Sequence, residues 1–327
     1  MALIDIAIPN YCYGRYLEEC VASISVQGVD DIRILIVDNA STDDSVAVAR
    51  RLMKHDKRIT LVARDKNLGH HASYNEGVDW AASKYFMLLC ADDLLVEGCF
   101  ARALTVLEKE SDVSLACGAE LVWHTTNPPP AIENRPDEPW RLLSSEAFTL
   151  ERSLPSKVLF GGGAALVRTA DLKRVGHFRT DVAFNEDLEL YLRLSLNRRV
   201  AVTNAVHGIR RVHGANISAI FWRDFKRDLV ETRQTFDSFF TRDAAAAPGV
   251  GGLRRRVYGN LGKRAYWSAI SHIVRGQRAA GLELFKLAFE LSPRLAVLPP
   301  LDYLMRMGDP MAHMRMRLAE ALGRHTP

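Results

Sequence analysis

The sequence has no cysteine pair at the spacing of a metal site or a redox motif. Its cysteines form an odd set without a C-x-x-C motif: Cys12, Cys20, Cys90, Cys99 and Cys117. This argues against a disulfide framework and against a cysteine-based zinc site, because both need paired cysteines. We expect all of them to be reduced side chains that contribute to packing.

Long apolar runs are also missing. No segment approaches the roughly 18 consecutive apolar residues of a membrane-spanning helix, although 48% of the residues are hydrophobic. Residues 1–5 carry no basic region of the kind that precedes the apolar core of a secretory signal. We therefore expect a cytoplasmic protein, and its 327 residues are enough to bury a full core.

The turn after the first predicted strand is poor in glycine and contains no lysine. Residues 10–14 include one glycine, so the G-x-G-x-x-G fingerprint of dinucleotide-binding enzymes is absent where it would be needed. A nicotinamide dehydrogenase is therefore disfavoured. A nucleotidyltransferase is disfavoured as well, because it would need a basic, glycine-rich loop there to hold a triphosphate.

Charge is distributed unevenly along the chain. Residues 221–327 hold 18 Lys and Arg against 10 Asp and Glu, whereas residues 1–220 hold 25 against 29. A basic C-terminal region on an acidic body could lie against anionic lipid, on the inner face of a membrane, or against an anionic acceptor. A solvated helix face is the commoner explanation of such a pattern, and both interpretations stay open.

What the sequence does contain is a series of apolar strands that end in polar residues. Residues 85–91 form a continuous apolar run, followed by Asp92 and Asp93. Such a run is typical of a strand buried on both faces. Ligands of open α/β sheets bind beyond the carboxyl ends of strands, where adjacent aspartates can hold a hard divalent cation. The alternative is that one aspartate caps the helix predicted near Glu97.

Strands and helices alternate, which predicts an α/β fold. We assign residues 1–120 and 121–220 to two halves of one α/β domain and residues 221–327 to a helical appendage containing a hairpin around Gly276. Two short strands are expected near residues 200–202 and 209–212. Strands are also predicted at residues 3–9, 32–38, 59–63, 85–93, 113–119 and 164–168. Ser41 and Asp44 have the spacing of a capping box before a helix that ends near His55.

Several polar residues at element boundaries are candidates for chemistry. Asp38 follows the second strand and could accept hydrogen bonds from a uracil-type ring or a ribose, or could serve the turn alone. Glu186 and Asp187 precede an amphipathic helix, whose dipole favours ionised carboxylates. His70 and His71 suggest a metal, but adjacent helical residues point in different directions, so we expect a surface or capping role for at least one.

Residues 127–140 are rich in proline and cannot form a helix or a central strand. They predict an exposed loop that is long enough to act as a lid or to contact an acceptor. A passive connection is the alternative interpretation.

With these segments in place, the sequence resembles the family 2 glycosyltransferases, inverting enzymes of the GT-A fold. The resemblance covers roughly the first two thirds of the chain. It rests on ordered motifs: a first strand ending in Pro9, V-D-N-A-S-T-D at 37–43, Asn67-x-Gly69 with Asn75-x-Gly77, A-D-D at 91–93, Gly176-x-Phe178, Glu186-Asp187 with Arg193, and the His213 segment.

This resemblance implies a mixed, Rossmann-like sheet flanked by helices and a specific set of site residues. The implied nucleotide-binding residues are Pro9, Asn10, Tyr11, Asp38, Asn67, Gly69, Asn75 and Asp92. Asp187 matches the catalytic base, Asp93 and His213 match ligands of Mg²⁺ or Mn²⁺, and Gly162, Glu186 and Arg193 match contacts to the donor or acceptor sugar.

The sequence departs from its relatives at one position. Many of them have Asp two residues before Asp92, where this chain has Cys90, so the metal site has fewer carboxylates and the roles of Asp92 and Asp93 are open. The Q-x-x-R-W motif of processive polysaccharide synthases is absent, which favours transfer of a single sugar.

The expected activity is therefore non-processive hexosyl transfer from a nucleotide-diphosphate sugar, UDP-linked by preference, to a glycan or lipid-linked acceptor in polysaccharide biosynthesis. A nucleotide-sugar-binding protein without transfer activity is the alternative. We expect no nucleic-acid partner, and self-association stays open. Direct displacement at the anomeric carbon, with an ionised Asp187 removing the proton of the attacking hydroxyl, would invert the configuration.

Overall fold

The computed structural model describes residues 2–132, 138–154, 165–183, 185–216 and 225–306. The chain divides into two compact units. One comprises Met1–Phe148 and Lys157–Ala219, and the other comprises Thr149–Ser156 and Ile220–Pro327. The second unit therefore includes a short segment that the sequence pattern assigned to residues 121–220. The division of the first unit at residue 120 stays a prediction.

The strands of the first unit form a single mixed sheet. In chain order they are β1 Ile4–Asn10, β2 Ile32–Asp38, β3 Ile59–Ala63, β4 Tyr85–Leu88, β5 Leu94–Leu95, β6 Val113–His124, β7 Arg141–Leu143, β8 Ala165–Arg168 and β9 Arg199–Val212. Their spatial order is β3-β2-β1-β4-β8-β6-β9-β5, with β7 paired to β9. β1, β2, β3 and β4 are parallel neighbours, whereas β8 is antiparallel to both β4 and β6.

Helices alternate with these strands, as the sequence pattern predicted. They are α1 Gly14–Ser25, α2 Ser45–His55, α3 His70–Trp80, α4 Cys99–Lys109, α5 Ser145–Ser153, α6 Thr169–Val175 and α7 Glu186–Ser195. β1, β2 and β4 are buried along almost their whole length, and α1 turns Leu17, Val21 and Ile24 toward the core. The α/β class and the mixed sheet are thereby confirmed.

Two local predictions were wrong. The capping box was assigned to Ser41 and Asp44, but the backbone N–H of Ser45 donates to Asp43 Oδ1 (3.0 Å) and the Ser41 hydroxyl donates to Asp38 instead. The short side chain of Asp43, two residues beyond Ser41, accepts the first N–H of α2 in its place. The two short strands near residues 200 and 210 are one continuous strand, β9, which pairs with β6 through register shifts.

The second unit is helical. Its helices are α8 Phe225–Ser238, α9 Val250–Val274, α10 Arg278–Leu291 and α11 Leu301–Arg306, with a π-helical turn at Phe239–Asp243 and a 3₁₀ turn at Pro293–Ala296. Gly276, at φ +80°, makes the turn between α9 and α10 in a backbone conformation that glycine tolerates best. The predicted hairpin is therefore confirmed. No helix within the described residues combines the length and the apolar character needed to cross a bilayer.

Candidate active site

The carboxyl ends of β1 and β2 are joined by a hydrogen-bond network around Asp38. Asn10 and Asp38 are the last residues of these strands and lie opposite each other in the sheet. The Asn10 amide donates to Asp38 Oδ2 (2.7 Å), and Ser41 donates to Asp38 through both its N–H (3.0 Å) and its hydroxyl (2.6 Å). Asp38 is 1% exposed. It therefore orders this turn, and its expected contact to a base or ribose stays a prediction.

The other nucleotide-site candidates near this turn differ in exposure. Pro9 is partly exposed on β1, and Tyr11 is 42% exposed just beyond the strand. The backbone N–H of Cys12, which has φ 57°, donates to the Ser41 hydroxyl (2.8 Å). The Asp38 network thus also fixes the strained backbone at Cys12 and leaves the Tyr11 side chain accessible to a ligand.

Asn67 and Gly69 form the turn that leads into α3. The Asn67 side-chain oxygen accepts the Gly69 N–H (2.8 Å) and the Asn39 amide (2.7 Å). Gly69 has φ +83°, which explains why glycine is suited to this position. Arg64 donates to Asn39 Oδ1 (3.0 Å) and to Glu76, which ties the turn to α3. The motif therefore builds a rigid connection at the same edge of the sheet as Asp38.

Asn75, expected to bind nucleotide, has a structural partner instead. Its amide donates to the Phe178 carbonyl (3.1 Å), and its side-chain oxygen accepts the Phe178 N–H (2.8 Å). A Cβ on Gly77 would lie 2.5 Å from Ala7 Cβ, so this glycine permits α3 to approach β1 closely. Asn75 thus connects α3 with Phe178 by hydrogen bonds, and Gly77 allows α3 to pack against β1.

The turn after β4 carries the predicted metal-site acids. β4 ends at Leu88, earlier than the apolar run predicted, and the chain turns before β5. Donor atoms of Cys90, Asp92 and Asp93 lie within 4.8 Å of one another. Burial raises the pKa of Asp93 well above its ordinary value, and the nearby carboxylates of Asp92 and Glu120 raise it further. A divalent cation would reduce the repulsion between Asp92 and Asp93, so these two carboxylates fit a hard cation.

The His213 side chain contacts Asp92, whereas Asp93 has a different partner. Its Nε2 is 3.2 Å from Asp92 Oδ2, which also accepts a hydrogen bond from the Asn216 amide (2.9 Å). Asp93 Oδ1 instead accepts the backbone N–H of Arg211 (2.9 Å). The antiparallel pairing of β5 with β9 brings these segments together. Asp92 thus connects the two expected metal ligands, because it contacts His213 and directly precedes Asp93 in the chain.

Aromatic side chains of α1 hold the end of β9 in place. The Tyr16 ring stacks on His213 with centroids 4.7 Å apart, and the Arg211 guanidinium lies 4.6 Å from the same ring. The Tyr13 hydroxyl donates to the Ala215 carbonyl (3.1 Å). Burial, Asp92, Cys90 and Asp93 raise the pKa of Tyr13 above its ordinary range. Sequence reasoning missed these tyrosines, although their i, i+3 spacing on α1 marks a shared face.

Glu186 and Asp187 are the first two residues of α7, as predicted. The backbone N–H of Leu188 donates to Asp187 Oδ1 (2.6 Å). Glu186 Oε1 is 3.3 Å from His70 Nε2. Both carboxylates therefore lie at the positive end of the helix dipole.

Two tyrosines, Tyr74 and Tyr191, interact with groups at the start of α7 and in the turn after β4. Burial raises the pKa of Tyr74 well above its ordinary value, and Cys90, Glu186 and Asp187 raise it further. Burial likewise raises the pKa of Tyr191, with Asp187, Glu120 and Cys90 among the added causes. Tyr74 and Tyr191 thus link Asp187 electrostatically with Cys90 of the turn after β4. Sequence reasoning missed Tyr74 and Glu120.

Arg193, expected to contact a sugar, is 3% exposed and fully engaged within the fold. Its guanidinium donates to both Glu189 oxygens (2.7–3.0 Å) and to the carbonyls of Val175 (2.6 Å) and His177 (2.8 Å). Arg179 donates to the same Glu189 (2.7 Å). This side chain therefore positions α7 against the end of α6, and its expected contact to a sugar stays a prediction.

The rings of His70 and His71 do not point apart, since their centroids are 4.1 Å apart and both side chains approach Glu186 of α7. The expected surface or capping role for at least one of them stays a prediction. Gly162 lies outside the described residues, as do residues 133–137 of the predicted lid. The described part of that loop is held by a hydrogen bond from the Trp123 indole to the Asn127 carbonyl (3.0 Å).

Comparison with known proteins adds the following findings. The family model described as Glycosyl transferase family 2 matches residues 5–176. Glycosyltransferase GlyG of Streptococcus pneumoniae is 27% identical over 216 residues, which cover 59% of this chain and 71% of that protein. An uncharacterized glycosyltransferase of Haemophilus influenzae is 29% identical over 119 residues, about a third of each chain (36%).

Two solved structures resemble the whole chain. Residues 1–349 of Staphylococcus aureus TarS, in complex with UDP-GlcNAc, have a TM-score of 0.64 at 14% identity, covering 99% of this chain and 93% of that one. The mannosyltransferase PcManGT of Pyrobaculum calidifontis, in complex with GDP-Man and Mn²⁺, has a TM-score of 0.59 at 17% identity, covering 98% and 85%. At these identities the likeness shows the fold, which is the GT-A fold expected from the sequence.

Proposed function

Because the chain belongs to glycosyl transferase family 2, we propose that it is an inverting, non-processive hexosyltransferase. It would move one sugar from a nucleotide-diphosphate sugar to a hydroxyl of a glycan or lipid-linked acceptor, as in polysaccharide biosynthesis. The observation that carries this proposal is that Tyr74 and Tyr191 each interact with Asp187 of α7 and with Cys90, whose donor atom lies within 4.8 Å of those of Asp92 and Asp93.

Asp187 is the proposed general base. A sugar hydroxyl is a weak nucleophile, and removal of its proton during attack contributes about 10²–10⁴ in rate. The position at the start of α7 supports this role, because the positive end of the helix dipole stabilises a negative charge there. Glu186, with one oxygen near His70, would orient the acceptor or the donor sugar beside it.

Asp92 and Asp93 are the residues that would hold Mg²⁺ or Mn²⁺. Bound there, the cation would neutralise charge that develops on the departing nucleotide diphosphate. Cys90 is an unsuitable ligand for a hard cation, since burial and the two neighbouring aspartates raise its pKa and keep it a neutral thiol. His213 and Asn216 orient Asp92 through hydrogen bonds to Oδ2.

A UDP-linked sugar is the proposed donor. The TarS structure that resembles this chain contains UDP-GlcNAc, whereas PcManGT contains GDP-Man, so the base must be tested. Asp38, with Asn10 and Tyr11 beside it, is placed at the strand ends where a base or ribose would bind. The absence of Q-x-x-R-W supports transfer of one sugar at a time.

The test is a panel of UDP- and GDP-linked hexoses, incubated with the protein, Mn²⁺ and a mixture of glycan acceptors. Release of nucleotide diphosphate that increases with added acceptor would support transfer. Binding of one nucleotide sugar with no release would instead identify a binding protein that transfers nothing. Product stereochemistry, measured from the anomeric proton coupling, would contradict the inverting mechanism if configuration were retained.

We also propose peripheral contact between the second unit and an anionic lipid surface. Arg275 and Arg278 are exposed at the tip of the α9–α10 hairpin, next to Val274 (48% exposed) and Leu282 (63% exposed). Anionic lipid attracts each such arginine by about 1 kcal/mol, and salt screens this attraction. The contact would centre on the hairpin tip, because exposed arginines and exposed apolar side chains lie together there.

Cosedimentation with liposomes tests this contact. Vesicles of neutral lipid with and without an anionic component should differ in binding, and the difference should vanish in high salt. Substitution of Arg275 and Arg278 by glutamine should weaken binding, whereas Arg51→Gln on the first unit should not. Equal binding to neutral vesicles would refute the electrostatic contact.

A further inference from the structure

Three side chains beside the proposed catalytic base form a second cluster of metal-ligand type. His70 and His71 are the first two residues of α3, and Glu186 is the first residue of α7. One ligand atom from each lies within 4.8 Å of the other two. Glu186 Oε1 is 3.3 Å from His70 Nε2. A cation with bonds of about 2 Å to each needs only small side-chain rotations to be held.

The orientation of His71 favours ligation through its other nitrogen. His71 Nε2 lies 3.2 Å from the backbone carbonyl of Val182. A carbonyl can only accept a hydrogen bond, so Nε2 carries the proton and Nδ1 keeps a free lone pair in the neutral ring. A hydrogen bond from the distal ring nitrogen to a carbonyl is the usual support of a metal-bound histidine.

Glu186 supplies the anionic ligand of the set. Its side chain is 13% exposed. Oε2 is buried and has no hydrogen-bond partner among the described residues, while Oε1 faces His70. A buried carboxylate oxygen without a donor is costly unless a cation or a donor completes it. The geometry therefore leaves an acceptor atom for a bound cation.

We propose that His70, His71 and Glu186 bind Zn²⁺ or a similar late first-row divalent cation. Two imidazoles and one carboxylate suit such metals, whereas Mg²⁺ and Ca²⁺ prefer oxygen ligands alone. Three protein ligands leave a fourth position of a tetrahedral ion open to water or a ligand oxygen. This site is distinct from the oxygen-rich turn at Asp92 and Asp93, and the inference does not depend on the proposed sugar transfer.

The experiment measures Co²⁺ and Zn²⁺ binding to tag-free protein in excess Mg²⁺, which occupies oxygen-only sites. Co²⁺ is followed by its visible absorption, and Zn²⁺ by competition with a chromophoric chelator. The protein should bind one equivalent with nitrogen ligation, and His70→Ala, His71→Ala and Glu186→Gln should each weaken binding by at least about tenfold. Thermal melting in chelator verifies that each variant is folded.

Two control variants give the result its specificity. The exposed His55, in the last turn of α2, is a histidine outside the cluster, so His55→Ala should leave the affinity unchanged. Asp93→Ala should leave it unchanged as well, because that residue belongs to the oxygen-only site. Equal affinity of the parent protein and folded His70→Ala or Glu186→Gln would overturn the proposal, as would loss of binding in Asp93→Ala.

Discussion

Carboxylates lie near both ends of the parallel strands, and the groups that surround them differ between the two ends. Near the amino end of β1, Asp5 accepts two hydrogen bonds from Arg33 (2.7 and 2.8 Å) and three from Ala82 and Ser83 (2.6–2.8 Å). Beyond the carboxyl end of β4, Asp93 lies among other acids, and the attraction of Arg210 does not offset the effects of burial, Asp92 and Glu120.

The pKa shifts at the two ends have opposite signs. Burial works to raise the pKa of Asp5, but the hydrogen bonds from Arg33, Ser83 and Ala82 outweigh it, and the pKa is lowered. At Asp93 burial and neighbouring acids act together, and the pKa is raised. A carboxylate supplied with internal donors stabilises the fold, whereas one crowded with other acids is stabilised by a partner from outside the chain. The contrast distinguishes a structural acid from a functional one.

The largest expected effect is that of Asp187→Asn on turnover. The substitution keeps the size of the side chain but removes its basic oxygen, so transfer should fall by about 10²–10⁴. Affinity for the nucleotide diphosphate should be nearly unchanged, because Asp187 does not belong to the strand-end turn. Single-turnover kinetics and calorimetry measure the two quantities. If turnover survives, the base must be another acid, and Glu186→Gln is the next variant to measure.

Asp5→Asn should have the largest effect on stability and none on the chemistry. The change weakens the pair of the buried Asp5 with the partly exposed Arg33 and leaves donors of Ala82 and Ser83 badly matched, at a cost of about 1–3 kcal/mol. Urea unfolding with a fluorescence readout measures the loss. Asp30→Asn, at an exposed position on the same side of the sheet, is the matched control and should change stability little. A small loss in the free energy of unfolding of Asp5→Asn would contradict the structural role assigned to this acid.

Without a divalent cation, Asp93→Asn should not destabilise the fold, in contrast to Asp5→Asn. Removing one charge from a crowded set of acids relieves repulsion, so the free energy of unfolding should stay the same or increase. With Mn²⁺ present, binding of the nucleotide diphosphate should weaken by at least about tenfold, or 1.4 kcal/mol, while binding of the nucleoside alone should not. Equal losses for nucleoside and diphosphate would indicate a folding defect.

The smallest effect is the pH dependence of the Asp5 contribution. Because the pKa of Asp5 is lower in the folded state, its stabilisation is present above the unfolded-state pKa and disappears as the pH falls through the folded-state pKa. The stability difference between the parent protein and Asp5→Asn should therefore shrink in acid. Urea unfolding at a series of pH values measures it. A difference that grows in acid would mean that Asp5 is not the ionised partner of Arg33.

The sequence predicted the strand-end positions of the site well because hydrophobic runs identify strands and the polar residues after them. Asp38, Asp92 and Asp93 were located in this way, and the helix pattern located Asp187. Motif resemblance alone could not separate ligand contacts from structural contacts. Asn75 and Arg193 match the motifs, but their donors and acceptors are taken by Phe178 and Glu189.

By itself, the sequence determined the α/β class, the order of its elements and the edge of the sheet that carries the acids. These follow from periodicity and from polar residues at strand ends, which are local properties. Only the tertiary structure decided which acids share a site, because β6 and β9 bring Glu120 and His213 to the turn after β4 from distant parts of the chain. It also placed His70 and His71 against Glu186, since the contact between α3 and α7 depends on packing that no local pattern encodes.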